Sequence, residues 1–147
     1  MRITGLSFGI FFFCIACFCY TTLAADRTPF ASIASLATAL SQNDPDEALS
    51  YFDSQMKDID AIEANIEALT AQSDISCAVD IVMDEETNGV HKLDLDWFME
   101  LKPQGDNNDP QVERRRVRVQ VEMKLIKNRW KITSLSPLSI FDPIQIK

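Results

Sequence analysis

The chain is expected to fold as an α+β domain, with three amino-terminal helices packed against one face of a curved antiparallel sheet of about four long strands. Three observations point there. Before residue 72, apolar residues recur at spacings of three and four, which is the stripe of an amphipathic helix. After residue 75 the period falls to two, one face apolar and the other charged, which suits a half-buried strand and no helix. The pairs Asn88-Gly89 and Lys127-Asn128 then punctuate the strand-forming half as hairpin turns.

The elements follow in order. Residues 1–25 read as a secretory signal: a basic start at Arg2, an almost wholly apolar run from Ile3 to Tyr20, and small residues at Ala24 and Ala25 for cleavage. Two alternatives stay open, an uncleaved membrane anchor and a lipoprotein acylated at Cys17. Cleavage would make the mature domain, residues 26–147, secreted or periplasmic, with no membrane contact of its own. Pro29 suits a helix start, and Ile33, Leu36, Ala37 and Leu40 form one stripe of a helix that ends near Gln42. Asp44 fits an N-cap, Pro45 the first position of a second helix, and Glu47 the returning carboxylate of a capping box. Ile59, Ile62, Ile66 and Leu69 mark a third helix over about Lys57 to Ala71, whose acids gather towards its amino-terminal half, where the helix dipole favours them.

Four strands complete the pattern. Ile75, Cys77, Val79, Ile81 and Met83 alternate, and an acidic loop follows from Asp84 to Gly89. The second strand puts His91, Leu93, Leu95, Trp97, Met99 and Leu101 on one face. A polar connection from Lys102 to Gln111 leads to the most regular stretch, in which Arg115, Val117, Val119, Val121, Met123 and Leu125 share a face. The two-residue turn after it sets Leu125 opposite Trp130 and Met123 opposite Ile132. With Leu101 near Glu113, Glu100 falls near Arg114, and Asp96 near Arg116 or Arg118, giving an outward ladder of ion pairs. The tail, with Leu138, Ile140 and Phe141 between Pro137 and Pro143, is expected to be irregular and to pack a few apolar side chains on the body.

Composition excludes several functions. The whole chain carries a net charge of −8, and loss of Arg2 makes the mature domain still more acidic, which opposes binding to nucleic acid. Arg114, Arg115 and Arg116 point to alternating faces of a strand, so they form no basic patch. Cys14, Cys17 and Cys19 lie in the leader, leaving Cys77 alone and no internal disulfide to make. No zinc spacing, phosphate loop, nucleophile elbow or calcium loop is present, and no cofactor or metal is expected.

The order of elements, together with the closing Trp130-Lys131-Ile132 and Leu135-Ser136-Pro137, resembles the nuclear transport factor 2-like superfamily over residues of about 30 to 143. The closing stretch is similar to a W-K-I-x-x-L-x-P ending common in that superfamily. Leu95-Asp96-Trp97 and the triple arginine resemble its secreted, uncharacterised bacterial members in particular. The resemblance implies a cone-shaped fold shared with ketosteroid isomerase, scytalone dehydratase and the polyketide cyclases. No catalytic motif of those enzymes maps onto the chain residue by residue.

The alternation itself supplies the inward-facing candidates. Trp97, Met99 and Trp130 from the sheet, with Tyr51 and Phe52 from the helical side, would line an apolar pocket, and Ser134 is a further inward position. Arg115 interrupts an apolar face and could hold a ligand carboxylate or phosphate at the cone mouth, or else snorkel to water or pair with an acid of the tail or the third helix. His91 is the weak catalytic candidate, with no acid evident on its own face. Phe98 and Val112 on the charged side favour an interface. The reading is therefore a non-catalytic domain that binds a small apolar ligand inside the cone or associates with other chains, as a homodimer through the sheet. The alternatives are a small isomerase, dehydratase or cyclase, and an accessory module that docks a partner protein.

Overall fold

A computed structural model describes residues 28–105 and 111–145. The leader with its three cysteines, and most of the polar connection between the second and third strands, lie outside the described residues.

The first helix, α1, spans Pro29–Ser41 and is opened by Thr28, whose hydroxyl oxygen accepts from the Ala31 N–H at 3.1 Å. Helix α2 spans Pro45–Leu49 with Asp44 as its N-cap, and α3 spans Ile59–Gln72. Glu47 does not return to cap the backbone as a capping box requires; the Tyr51 hydroxyl donates to its carboxylate at 2.6 Å instead. Between α1 and α2, Asn43 adopts positive φ and its side-chain amide donates to the carbonyls of Thr70 and Ser73. One residue thus ties the first helical turn to the end of α3.

Strands β1 (Ser73–Thr87), β2 (Val90–Pro103), β3 (Glu113–Ile126) and β4 (Arg129–Ser136) form a single antiparallel sheet in the order β1-β2-β3-β4. The expected pairings Leu101 with Glu113, Met123 with Ile132 and Leu125 with Trp130 are all present. Both tight turns use two successive residues of positive φ, Asn88-Gly89 and Lys127-Asn128, whose twist matches that of the flanking strands. The alternation then buries Leu93, Leu95, Trp97, Met99, Val119, Val121 and Met123 against Leu36, Leu40, Ile62 and Ile66. At about 1.5–3 kcal/mol for each large apolar side chain, that face outweighs the outward ion pairs in fixing the register.

Two bulges alter the expected pattern. Val82 is an extra residue between the Ile81–Leu95 and Met83–Asp94 pairs, so Met83 turns to the outer face instead of sharing the face of Ile81. Thr133 is an extra residue between Ile132 and Ser134, which sends Ser134 outward to solvent. The edge of β4 is met by the segment after α2: Asp53 N–H donates to Ile132 O, and Ile132 N–H donates to Tyr51 O. After a cis Ser136–Pro137 bond the tail forms a 3-10 turn over Leu138–Phe141, with Ile140 and Phe141 fully buried.

Candidate functional site

The interior of the cone is filled by its own side chains. Trp97 is 0% exposed, Met99 is equally covered, and Phe52 and Tyr51 are buried across from them. The tail supplies Phe141, which meets Trp97 edge-on at 5.7 Å and Phe52 edge-on at 6.2 Å between ring centroids. Such T-shaped contacts satisfy the ring quadrupoles as well as burying area. Of the aromatic candidates, Trp97, Phe52 and Tyr51 are brought together in this core. Trp130 is separate and half-buried near the β3–β4 turn.

Arg115 lies on the inner face with its side chain 12% exposed. Its Nε–H donates to Glu113 Oε1 at 2.6 Å, and its Nη1–H donates to the carbonyls of Ile140 and Asp142 at 3.0 and 2.5 Å. A guanidinium offers five donors in a fixed fork, and here Nε is taken by Glu113 and Nη1 by the tail. Asn65, donating to Asp142 Oδ1, and Gln72, accepting from Ile144 N–H, hold the same segment from α3. Arg115 is therefore the clamp that seats Phe141 in the cone.

His91 gains partners that alternation in the sequence conceals. Without a bulge, Asp84 would share the outer face with Asp80. The extra residue Val82 reverses the phase, and Asp84 and Glu86 arrive beside His91. Asp84 Oδ1 lies 2.8 Å from Nδ1, and Glu86 Oε2 lies 3.9 Å from Nε2. The ring also meets Trp130 edge-on at 4.8 Å. The imidazole is 15% exposed and Asp84 41%, so the pair sits at the open end of the sheet and not within an enclosed chamber. Chemically this is a bracket of one hydrogen bond, to Asp84, and one longer carboxylate contact, to Glu86, around one imidazole. Among the described residues, no group of three or more His, Cys, Asp or Glu side chains is placed to hold a metal ion. No described helix is long and apolar enough to cross a membrane.

On the outer face, Arg114 pairs with Glu100 at 2.9 Å, Arg116 with Asp96 at 2.7 Å, and Lys92 with Glu122 at 3.4 Å. Hydrogen bonding from the Arg116 guanidinium holds the Asp96 carboxyl below its ordinary range. Phe98 is half-buried within this ladder, directly opposite Ala78 on one side and Arg116 on the other.

Beside the edge of β1, α1 leaves an open groove of about 390 Å³ lined by Ala34, Ala37, Thr38, Ser41, Cys77 and Val79. Burial pushes the Cys77 thiol up to about 11, opposed by hydrogen bonds with Trp97 and Ser41. Trp97 Nε1 is buried with no partner in hydrogen-bond geometry, so its interaction with the thiol, a weak acceptor, is a loose one.

No protein-family model and no curated protein matches the sequence. Solved structures do match. A conserved protein from Planctomyces limnophilus aligns with a TM-score of 0.63 at 8% identity, over 72% of this chain and 88% of that one. A candidate scytalone dehydratase from Novosphingobium aromaticivorans gives 0.61 at 11% identity, over 71% and 76%. A candidate calcium/calmodulin-dependent protein kinase type II association domain from Thiobacillus denitrificans gives 0.55 at 12% identity, over 82% and 98%. The architecture is consistent with the nuclear transport factor 2-like fold. At these identities the likeness is one of fold, which leaves chemistry open.

Proposed function

We propose that this is a non-catalytic association domain, secreted or periplasmic, which pairs with a second copy of itself through the outer face of the sheet. The observation that carries the reading is the packed cone: Trp97, Met99, Phe52 and Phe141 occupy the space where a substrate of this fold would lie. Proton-transfer catalysis needs a base facing a water-excluding cavity, whereas the His91 bracket is formed with two exposed carboxylates. The outer face has the make-up of an interface, an apolar spot of Phe98 and Ala78 ringed by charge pairs. A structure with this fold is described as a candidate association domain, which supports the reading. Binding of a small apolar ligand in the cone belongs to the same reading only where the tail yields its place, since Phe141 fills the centre.

Sedimentation of the mature chain tests the pairing. The expected result is twice the chain mass for wild type, and the chain mass for Phe98→Glu with its thermal transition retained. A monomer at every concentration examined, or a Phe98→Glu protein that still pairs, overturns the proposal.

A further inference from the structure

We infer that the groove between α1 and the free edge of β1 receives an extended, lysine- or arginine-flanked apolar segment of a partner protein, which joins the sheet as an added strand. The backbone points to it first. Cys77 N–H faces away from β2 and donates to the Ser41 hydroxyl at 3.1 Å, so α1 closes the edge at that residue. Antiparallel alternation turns the N–H and C=O of Val79 and Ile81 to the same outer edge, and no described residue pairs with them there. Among the described residues the edge is therefore covered for its first part and open for the next, which is the condition for strand addition.

The groove gives such a strand somewhere to place its side chains. Ala34, Ala37 and Thr38 are small, and α1 carries no charged residue along its whole length. One turn further along the helix lies exposed Phe30, and further along the strand lies Val82, 50% exposed. These lie beyond a floor in which Ala34, Ala37 and Val79 alternate with the polar but uncharged Thr38, Ser41 and Gln42.

Charge decides the occupant. Beyond the groove, β1 carries Asp80, Asp84, Glu85 and Glu86 with no basic residue among them. Of these, Asp84 is hydrogen-bonded to His91, and Arg116 attracts Asp80 across the outer face. A second copy of β1 laid along the first would set acid against acid, which disfavours self-pairing at this edge. A strand with basic ends meets complementary charge instead. This surface is distinct from the outer face proposed for self-association, so the two readings stand or fall separately.

The test uses the mature chain with two acetylated peptides of alternating valine and threonine, one with a lysine pair at each end and one with glutamate pairs. Amide hydrogen exchange is read by NMR. With the lysine peptide at millimolar concentration, exchange at Val79 and Ile81 is expected to slow by about tenfold. The glutamate peptide leaves it unchanged. Ala34→Trp fills the groove from an exposed helical position and is expected to abolish the protection while keeping the thermal transition of the wild type. No protection with either peptide, equal protection with both, or full protection in a folded Ala34→Trp protein overturns the inference.

Discussion

Cys77 shows at the level of one residue how burial and chemistry are linked. Its thiol is neutral up to about pH 11 in the folded chain, against an ordinary value of 9.0. Below pH 9 both folded and unfolded forms keep the proton, and the site adds no pH dependence. As pH rises through 9 the unfolded thiol ionises while the folded one does not, so stability falls until the folded value is reached. Two units correspond to about 2–3 kcal/mol. Urea unfolding of wild type and Cys77→Ala should therefore diverge between pH 8 and 11, the wild type losing about that much more. A parallel pH dependence in the two proteins contradicts the shift. The same burial makes alkylation of the folded protein slow near neutrality, because the thiolate is the nucleophile. The place of Cys77 on the apolar face of β1 was legible from the alternation; its interaction with the Trp97 indole was not, since that depends on packing across two strands.

At the level of elements, the bulge at Val82 decides what His91 touches. Strict alternation places Glu85 on the face of Ile81 and Asp84 on the opposite one, and the extra residue exchanges them. Bulges leave little trace in a single sequence, because Val82 is as good a strand residue as its neighbours. The turns, by contrast, were legible: Asn-Gly and Lys-Asn between alternating runs have a backbone reason to be there. A double-mutant cycle reads the bulge directly. Asp84→Asn and His91→Ala should be non-additive by about 0.2–1 kcal/mol, the range for a partly exposed pair, whereas Glu85→Gln and His91→Ala should add. The opposite pattern requires an unbulged β1. At the other hairpin, Lys127 holds positive φ, a conformation that side chains with a Cβ resist. Replacing Lys127-Asn128 by Asn-Gly should raise stability by about 1 kcal/mol, seen as a higher thermal midpoint with unchanged strand signals.

At the scale of the whole molecule, the sheet and helices form three sides of the cone and the tail completes the fourth. The element order, the β2–β3 register and most of the inward face were readable, because period and turn chemistry are written locally; Met83 and Ser134, turned outward by the two bulges, were not. That Phe141 fills the centre was not readable: it depends on Arg115 turning back to grip the carbonyls of Ile140 and Asp142, 25 and 27 residues further along the chain. Clamp and plug should then behave as one unit. Phe141→Ala removes a ring packed on Trp97 and Phe52, at a cost of about 3–5 kcal/mol, and leaves an apolar void. Arg115→Ala strands two carbonyls and Glu113, at about 1–3 kcal/mol. Because each change loosens the same segment, the double mutant should lose less than the sum, by more than the roughly 0.3–0.5 kcal/mol scatter of independent sites. Indole should raise the thermal midpoint of Phe141→Ala and leave that of the wild type unmoved, since only the variant has a dry cavity to offer. Full additivity in the cycle would mean that the tail is held by its own packing, and that Arg115 is free to serve a ligand after all.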